Sequence, residues 1–591
     1  MSALTAKREF SVENEYTYSR HSPMRWIAAH VMRYPLFLLG FLASSVGATI
    51  LFSMVPNIIG RAFNLAVSPS PEPALFAGLA LTVLALVLAR GTLDLSAQIF
   101  METLAQRAER DCRDELYLSL LGKSQTFHNR QRVGDLMARA SNDVRQINPM
   151  LNPGVVMIFE STTGIVVPLT FIAFIHPQLL VVPVIFVASL VIALRRYMGA
   201  LNPIAEAKQE QFGLMNAGLN ESIAGIEVVK AMAQETQERE KFRLTARAYR
   251  DSFIREGEVQ ARYIPVLLLA VAMAFGFGYG VTLLNAGVIN VGQLVAFMGL
   301  MGLLRFPTFI SIFSFTLVQM GLAGAERILE LMTEETELDE NRTGHNAAMQ
   351  GEIVFEQVSF GHAGQSGDTL RNISFRAAPG ETIAIVGQTG SGKSTLTRLV
   401  NRTYDVTSGR IAIDGVDVRE WNLARLREQV STIEQDIFLF SRSIADNIAF
   451  GLGAGADPQA IERAAEDAQA AEFIAGFKDG YDTVVGERGV TLSGGQRQRI
   501  AIARALLTDP RILILDDSTS AIDSATEDKI QRAINRVLEG RTTLLITHRL
   551  SQIRRADRIL VLHKGEIIDQ GSHEALMVRC PLYRRIFARY E

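Results

Sequence analysis

Cysteine is nearly absent from this chain of 591 residues: Cys112 and Cys580 are the only two, far apart in the sequence. A disulfide framework is therefore not expected, and both thiols read as buried structural side chains. An excess of either charge is missing too. Lys and Arg number 59 against 62 Asp and Glu, for a net charge of −3. That lacks the basic surplus expected of a general nucleic-acid binder, so no nucleic acid is expected as a partner. The opening MSALTAKREFSVENEYTYSRHSP has no apolar core between its charges. It reads as neither a secretory signal nor a transit peptide, and is expected to stay cytosolic. No tandem repeat is evident.

Hydrophobicity is present, but unevenly. The 48% share is ordinary overall, yet six long apolar segments crowd the first half, near 35–58, 73–99, 153–175, 178–197, 262–284 and 291–316. Each approaches or exceeds the roughly 20 residues a helix needs to cross a bilayer. The connections 100–150 and 198–260 are long and rich in Arg and Lys, whereas 60–72, 176–177 and 285–290 are short and almost uncharged. By the positive-inside tendency the long loops and both termini face the cytoplasm, and the long loops hold enough chain for helices reaching well below the membrane.

Four ionisable residues stand out within the spans. Arg90 and Asp94 lie four apart on the second, so they share a helical face and can neutralise each other. Glu160 on the third and Arg305 on the sixth are more isolated. Such groups usually face a cavity or a partner, so all four are candidate substrate contacts, with snorkelling or an interfacial ion pair as the competing reading. Pro307, just past Arg305, is positioned to kink the sixth span.

From about 351 the pattern changes to short β-branched runs alternating with helical stretches, the mark of a soluble α/β domain. The expected division is a membrane domain over 1–330, a polar linker over 331–350 and an α/β domain over 351–591. GQTGSGKST, residues 387–395, follows the strand-like TIAIV and precedes a helical stretch. Its glycines let backbone N–H groups turn toward an anion, and the helix start adds its dipole. Lys393 can reach the β- and γ-phosphates of a nucleotide, and the Ser394 hydroxyl can ligate Mg²⁺. LILDDSTSAID closes an aliphatic run with two adjacent acids. Asp516 falls where P-loop proteins hold Mg²⁺; Asp517 would then stand beside the γ-phosphate, or merely cap the next helix. LSGGQRQRIAIARAL, 492–506, places Ser493, Gly494, Gly495 and Gln496 at a helix start, a second anion seat or an ordinary capped turn.

Taken together these motifs resemble the ABC superfamily, and over essentially the whole length the chain is similar to a half-transporter of the exporter (type IV) fold: six membrane helices, then one nucleotide-binding domain. The resemblance implies ATP and Mg²⁺ as cofactors. It assigns nucleotide contact to Gly387, Gln388, Thr389, Gly390, Ser391, Gly392, Lys393, Ser394 and Thr395, and makes Gln435 in STIEQDIFLF the Q-loop glutamine. It makes LSGGQ the signature, Asp516 the end of Walker B, SAID (520–523) the D-loop and His548 in LITHR the switch histidine. Gln435, Asp517 and His548 would attend hydrolysis, with Ser394, Gln435 and Asp516 around the metal. TVVGERG, 483–489, resembles the exporters' X-loop; RVGDLMARASNDV and NESIAGIEVVKAMAQE resemble stretches around their coupling helices. The family also implies that two such domains pair head to tail, so that Ser493 and Gly495 serve the partner's ATP.

Two departures stand out. His362 in VSFGHAG occupies the place of the usual adenine-stacking Tyr, a smaller π face expected to hold nucleotide less tightly. Asp517 replaces the usual Glu, and the shorter acid is expected to reach the attacking water poorly. That is the pattern of the slow chain in a heterodimer whose other half carries Glu. The expectation is an ATP-driven multi-pass exporter of the inner or plasma membrane, working by alternating access. A homodimer or lipid flippase with slow hydrolysis, an importer and an ATP-gated channel remain open, and small molecules, lipids and peptides remain open as substrates.

Overall fold

A computed structural model describes residues 7–12, 15–68, 72–262, 265–362, 364, 367–453, 455–516 and 524–587. Contacts divide the chain into two compact units, one of residues 1–15, 118–135 and 334–591, the other of 16–117 and 136–333. The second unit is helical and holds the membrane spans. Among the described residues, six helical stretches are long and apolar enough to cross a bilayer, as the hydropathy pattern leads one to expect.

Proline opens several of these helices, at Pro35, Pro73 and Pro265, where the missing N–H costs nothing. Two are much longer than a bilayer requires. Pro73–Leu121 has 49 residues and Val181–Ala224 has 44, so at 1.5 Å per residue each exceeds the hydrocarbon thickness about twofold. The last span starts as Val291–Leu303 behind a capping box: the Gln293 N–H donates to Asn290 Oδ1 at 2.9 Å and the Asn290 N–H to Gln293 Oε1 at 2.8 Å. It packs closely on the first span, where a Cβ on Gly60 would meet the Gly292 carbonyl oxygen at 2.2 Å, so small residues set the helix separation. The span breaks at Leu304 and resumes as Arg305–Thr333. Pro307 explains the break, because it has no N–H for the Leu303 carbonyl and its ring crowds that oxygen.

The other unit contains ten strands among its described residues. They are β1 (Ile353–Phe360), β2 (Leu370–Ala377), β3 (Thr382–Gly387), β4 (Ser408–Ile413), β5 (Val416–Asp417), β6 (Val430–Ile433), β7 (Ile512–Asp516), β8 (Thr542–Ile546), β9 (Arg558–His563) and β10 (Glu566–Gly571). An antiparallel sheet runs β2-β1-β4-β5, and a second sheet runs β10-β9-β3-β8-β7-β6, parallel from β9 to β6. Alternation along β3 shows why its sequence is uniformly aliphatic. Ile383 and Ile385 enter one core while Ala384 and Val386 enter another, against Tyr583 and Phe587. A parallel sheet buried on both faces requires such runs. Its carboxyl edge then carries the loop after β3, Asp516 ending β7 and Thr547–His548 after β8, the edge where such sheets bind ligands. Cys112 and Cys580 are free and buried.

Candidate nucleotide site and membrane cavity

Backbone geometry builds the phosphate loop. Gly392 caps the helix Lys393–Val400 with φ at +101°, and a Cβ there would also strike Leu370 Cδ2 at 2.7 Å; only glycine suits both conditions. The Lys393 ammonium donates to the carbonyls of Gly387 at 2.9 Å and Gln388 at 3.1 Å, which fixes it at the loop. Burial pushes its pKa below the usual lysine range, with Asp516 pulling the other way; bound phosphate would reinforce the charged form. Ser391 is buried with its hydroxyl unpartnered among the described residues, as fits a loop shaped to wrap an anion. Gln388, Thr389 and Gly390 are exposed at the tip, and Thr395 is half-buried in the helix's first turn.

Ser394 donates its hydroxyl to Asp516 Oδ2 at 2.6 Å, although 122 residues separate them. Exposed Gln435 lines the same cavity of about 120 Å³, with Thr432, Glu434 and Asp436. Hydroxyl, carboxylate and amide oxygens form a hard donor set, few in number, which fits Mg²⁺; that ion keeps much of its shell for water and substrate phosphate. His548 is exposed just after β8. Asp517 and the 520–523 stretch lie outside the described residues.

His362 stands edge-on to Phe360 with centroids 4.9 Å apart and to Tyr404 at 5.3 Å. Burial, with Arg398 second, lowers its pKa, which favours the neutral ring that can pack on a base. Tyr404, only 4% exposed, belongs to none of the sequence motifs; its oxygen accepts from Asn129 Nδ2 at 2.7 Å. The one available signal was an aromatic just past the phosphate-loop helix.

Ser493 caps the helix Gly494–Leu507, accepting from the Gln496 N–H at 3.3 Å while Gln496 Oε1 accepts from the Ser493 N–H at 2.9 Å. Ser493 and Gly494 are exposed and Gly495 is buried. None of these residues lines the cavity at Ser394 and Asp516. Arg504 on that helix, to which no motif assigns a role, donates to the Asn447 carbonyl at 2.8 Å and Asn447 Oδ1 at 3.2 Å, tying the helix to the chain that follows Gln435.

In the membrane unit, Arg90, Asp94 and Glu160 are brought together around one cavity of about 470 Å³. Arg90 Nε donates to Asp94 Oδ2 at 3.2 Å, and its guanidinium lies 3.6 Å from the Phe52 ring centroid. Arg305 is not brought in. It is exposed, and the sixth span lines the cavity with Leu303, Phe306 and Pro307 instead.

A six-span helical unit joined to a P-loop ATPase unit defines a class: a membrane transporter subunit driven by ATP. The ABC transporter family model matches residues 370–520, and the ABC transporter transmembrane region matches 36–308. The chain is 36% identical over 479 residues to the ATP-dependent lipid A-core flippase of Aromatoleum aromaticum, covering 81% of this chain and 79% of that one. It is 32% identical over 533 residues to an uncharacterized ABC transporter ATP-binding protein of Bacillus subtilis, covering 90% and 89%. A solved bacterial Atm1-family ABC exporter with ATP bound superposes with a TM-score of 0.80 at 29% identity, covering 94% of this chain and 98% of the other. The chain belongs to the ABC transporter family, as an exporter-fold half-transporter whose ATPase is coupled to transport.

Proposed function

We propose that this chain is the slow half of an unequal pair, an exporter in which it joins a different half-transporter bearing Glu after its own Walker-B aspartate. What carries the pairing is the separation of the two phosphate seats: the Ser493 cap lies outside the cavity of Lys393, Ser394 and Asp516, so it is left to serve a second chain's ATP. In this reading residues 387–395 hold the phosphates, His362 packs on the base, and Ser394, Gln435 and Asp516 hold Mg²⁺, which would neutralise developing phosphate charge. His548 and Gln435 sense the γ-phosphate and the attacking water. Asp517 has one methylene fewer than Glu, so its carboxylate falls short by on the order of 1 Å, enough to lose much of the roughly 10²–10⁴-fold a placed base supplies. ATP bound across both faces closes the pair and hydrolysis reopens it. Along the sequence, residues 1–330 supply the membrane domain, apart from 1–15 and 118–135, which pack in the other unit; 331–350 serve as linker and 351–591 as the nucleotide-binding domain. The domain and both termini are cytoplasmic, in the inner or plasma membrane.

The test compares variants in the assembled transporter. Asp517→Asn is expected to cost less than about threefold in turnover, Asp517→Glu to raise it, and the partner's Glu→Gln to remove most hydrolysis. Equal losses from Asp517→Asn and the partner's Glu→Gln make Asp517 a working base and overturn the reading. A homodimeric lipid flippase is the second reading, favoured by the flippase relatives; hydrolysis at full rate by this chain purified alone would select it.

A further inference from the structure

We infer that the cavity among the first, second, third and sixth membrane helices binds an organic cation with an apolar body, and that Glu160 is its counter-charge. This rests on the transporter reading above and names the chemistry of the cargo. The cavity's 470 Å³ falls within the range of small-molecule sites, about 300–1,000 Å³. Much of its wall is apolar, from Phe52, Phe306, Leu303 and the two prolines 168 and 307. Two of the hydroxyls that the first helix gives the lining are already engaged, since Ser53 donates to the Thr49 carbonyl and Thr49 to that of Ser45, each at 2.9 Å.

The balance of charge decides the ligand. Arg90 is the only cation in the lining among the described residues, and it is committed twice, to Asp94 and to the face of Phe52. The Glu160 carboxylate has no hydrogen-bond or ion-pair partner among the described residues, although the residue's backbone carbonyl accepts from Thr163 Oγ1 at 3.2 Å, and the described lining therefore holds two carboxylates for one guanidinium. A carboxylate at membrane depth without a counter-charge is costly. An ammonium or phosphonium ligand supplies that charge where low dielectric makes the attraction strong, and the open ring of Phe306 offers it a π face. An anionic amphiphile would add a third negative charge to the same space. Exposed Arg305 lies outside the lining and does not offset it.

Tetraphenylphosphonium and tetraphenylborate, matched in shape and opposite in charge, test the inference on the full transporter in nanodiscs, with empty nanodiscs as blank and no nucleotide present. Saturable binding of the phosphonium, not displaced by the borate, is expected. Glu160→Gln is expected to weaken it at least about tenfold, as for loss of one partner of a desolvated charge pair, and Glu160→Asp to retain most of it. Binding of the borate equal to or tighter than that of the phosphonium overturns the inference, as does unchanged affinity in Glu160→Gln. If that variant fails to assemble, the matched ions on the unaltered protein decide alone. Binding is read without ATP, so absent binding with intact ATPase defeats this inference only. Intact binding in a complex that neither hydrolyses ATP nor transports defeats the transporter reading only.

Discussion

Two single residues carry effects large enough to measure. Lys393 is held by two loop carbonyls and placed to meet phosphate. Hydrogen bonds to charged groups contribute about 1.5–3 kcal/mol each, so Lys393→Ala is expected to weaken nucleotide binding at this chain's own site about ten- to a hundredfold. Labelling of this chain by a photoreactive ATP analogue checks it, and undiminished labelling contradicts the assignment. Asp417 is structural by contrast. Burial pushes its carboxyl pKa up, but the Arg419 guanidinium and N–H outweigh burial and hold it below the usual range. A carboxyl depressed in the folded state stabilises above its unfolded pKa, and that stabilisation is lost as pH falls through the folded value. Asp417→Asn is therefore expected to lower the ATPase unit's stability by about 1–3 kcal/mol at neutral pH, with the deficit shrinking in acid. Denaturant melts at several pH values measure this, and a deficit constant down to strong acid sinks it.

Among elements, the short helix Gln125–Arg130 shows what sequence can and cannot disclose. Ser124 caps it by accepting from the Phe127 N–H, the Ser124 N–H donates to Thr336 Oγ1 at 2.9 Å, and Asn129 bonds Tyr404. It thus belongs by contacts to the ATPase unit although it follows the second membrane helix in sequence. Asn129→Ala is expected to lower amide protection across 125–131 about fivefold to tenfold, the equivalent of one lost hydrogen bond, with β1 unaffected. Hydrogen exchange by mass spectrometry reads both segments, and unchanged protection at 125–131 means that other contacts hold the helix. The phosphate loop and the six spans were legible because glycine position and apolar length encode them locally. The Asn129–Tyr404 bond was not, since it joins residues 275 apart through packing alone. For the same reason helical spacing correctly paired Arg90 with Asp94, whereas the break at Leu304 decides that Arg305 stays outside the cavity its neighbours line. Pro307 signalled a kink without revealing which side chains it would turn inward.

At the scale of the molecule, the asymmetry of the chain's own surfaces makes its last prediction. One face offers Lys393 and the Ser394–Asp516 pair; another offers an exposed helix start at Ser493 and Gly494. In an unequal pair these two faces belong to different ATP sites, so damage to them separates. In that proposed arrangement, loss of Lys393 would injure the slow site built on this chain's loop, whereas loss of the Ser493 hydroxyl would injure the partner's competent one. Ser493→Ala removes both the helix cap and a donor to phosphate, and a charge-assisted hydrogen bond alone corresponds to about a tenfold or greater effect. Turnover of the assembled transporter is therefore expected to fall at least tenfold in Ser493→Ala while labelling of this chain by a photoreactive ATP analogue persists. Lys393→Ala is expected to give the converse, with labelling of this chain lost and a larger share of turnover retained. The two variants measured side by side, with the partner's labelling followed in the same gel, decide the arrangement. If Ser493→Ala removes labelling of this chain and spares the partner's, the signature serves its own chain's nucleotide and the head-to-tail pairing is wrong. If both variants reduce turnover equally, the two sites contribute alike and the pair is not unequal.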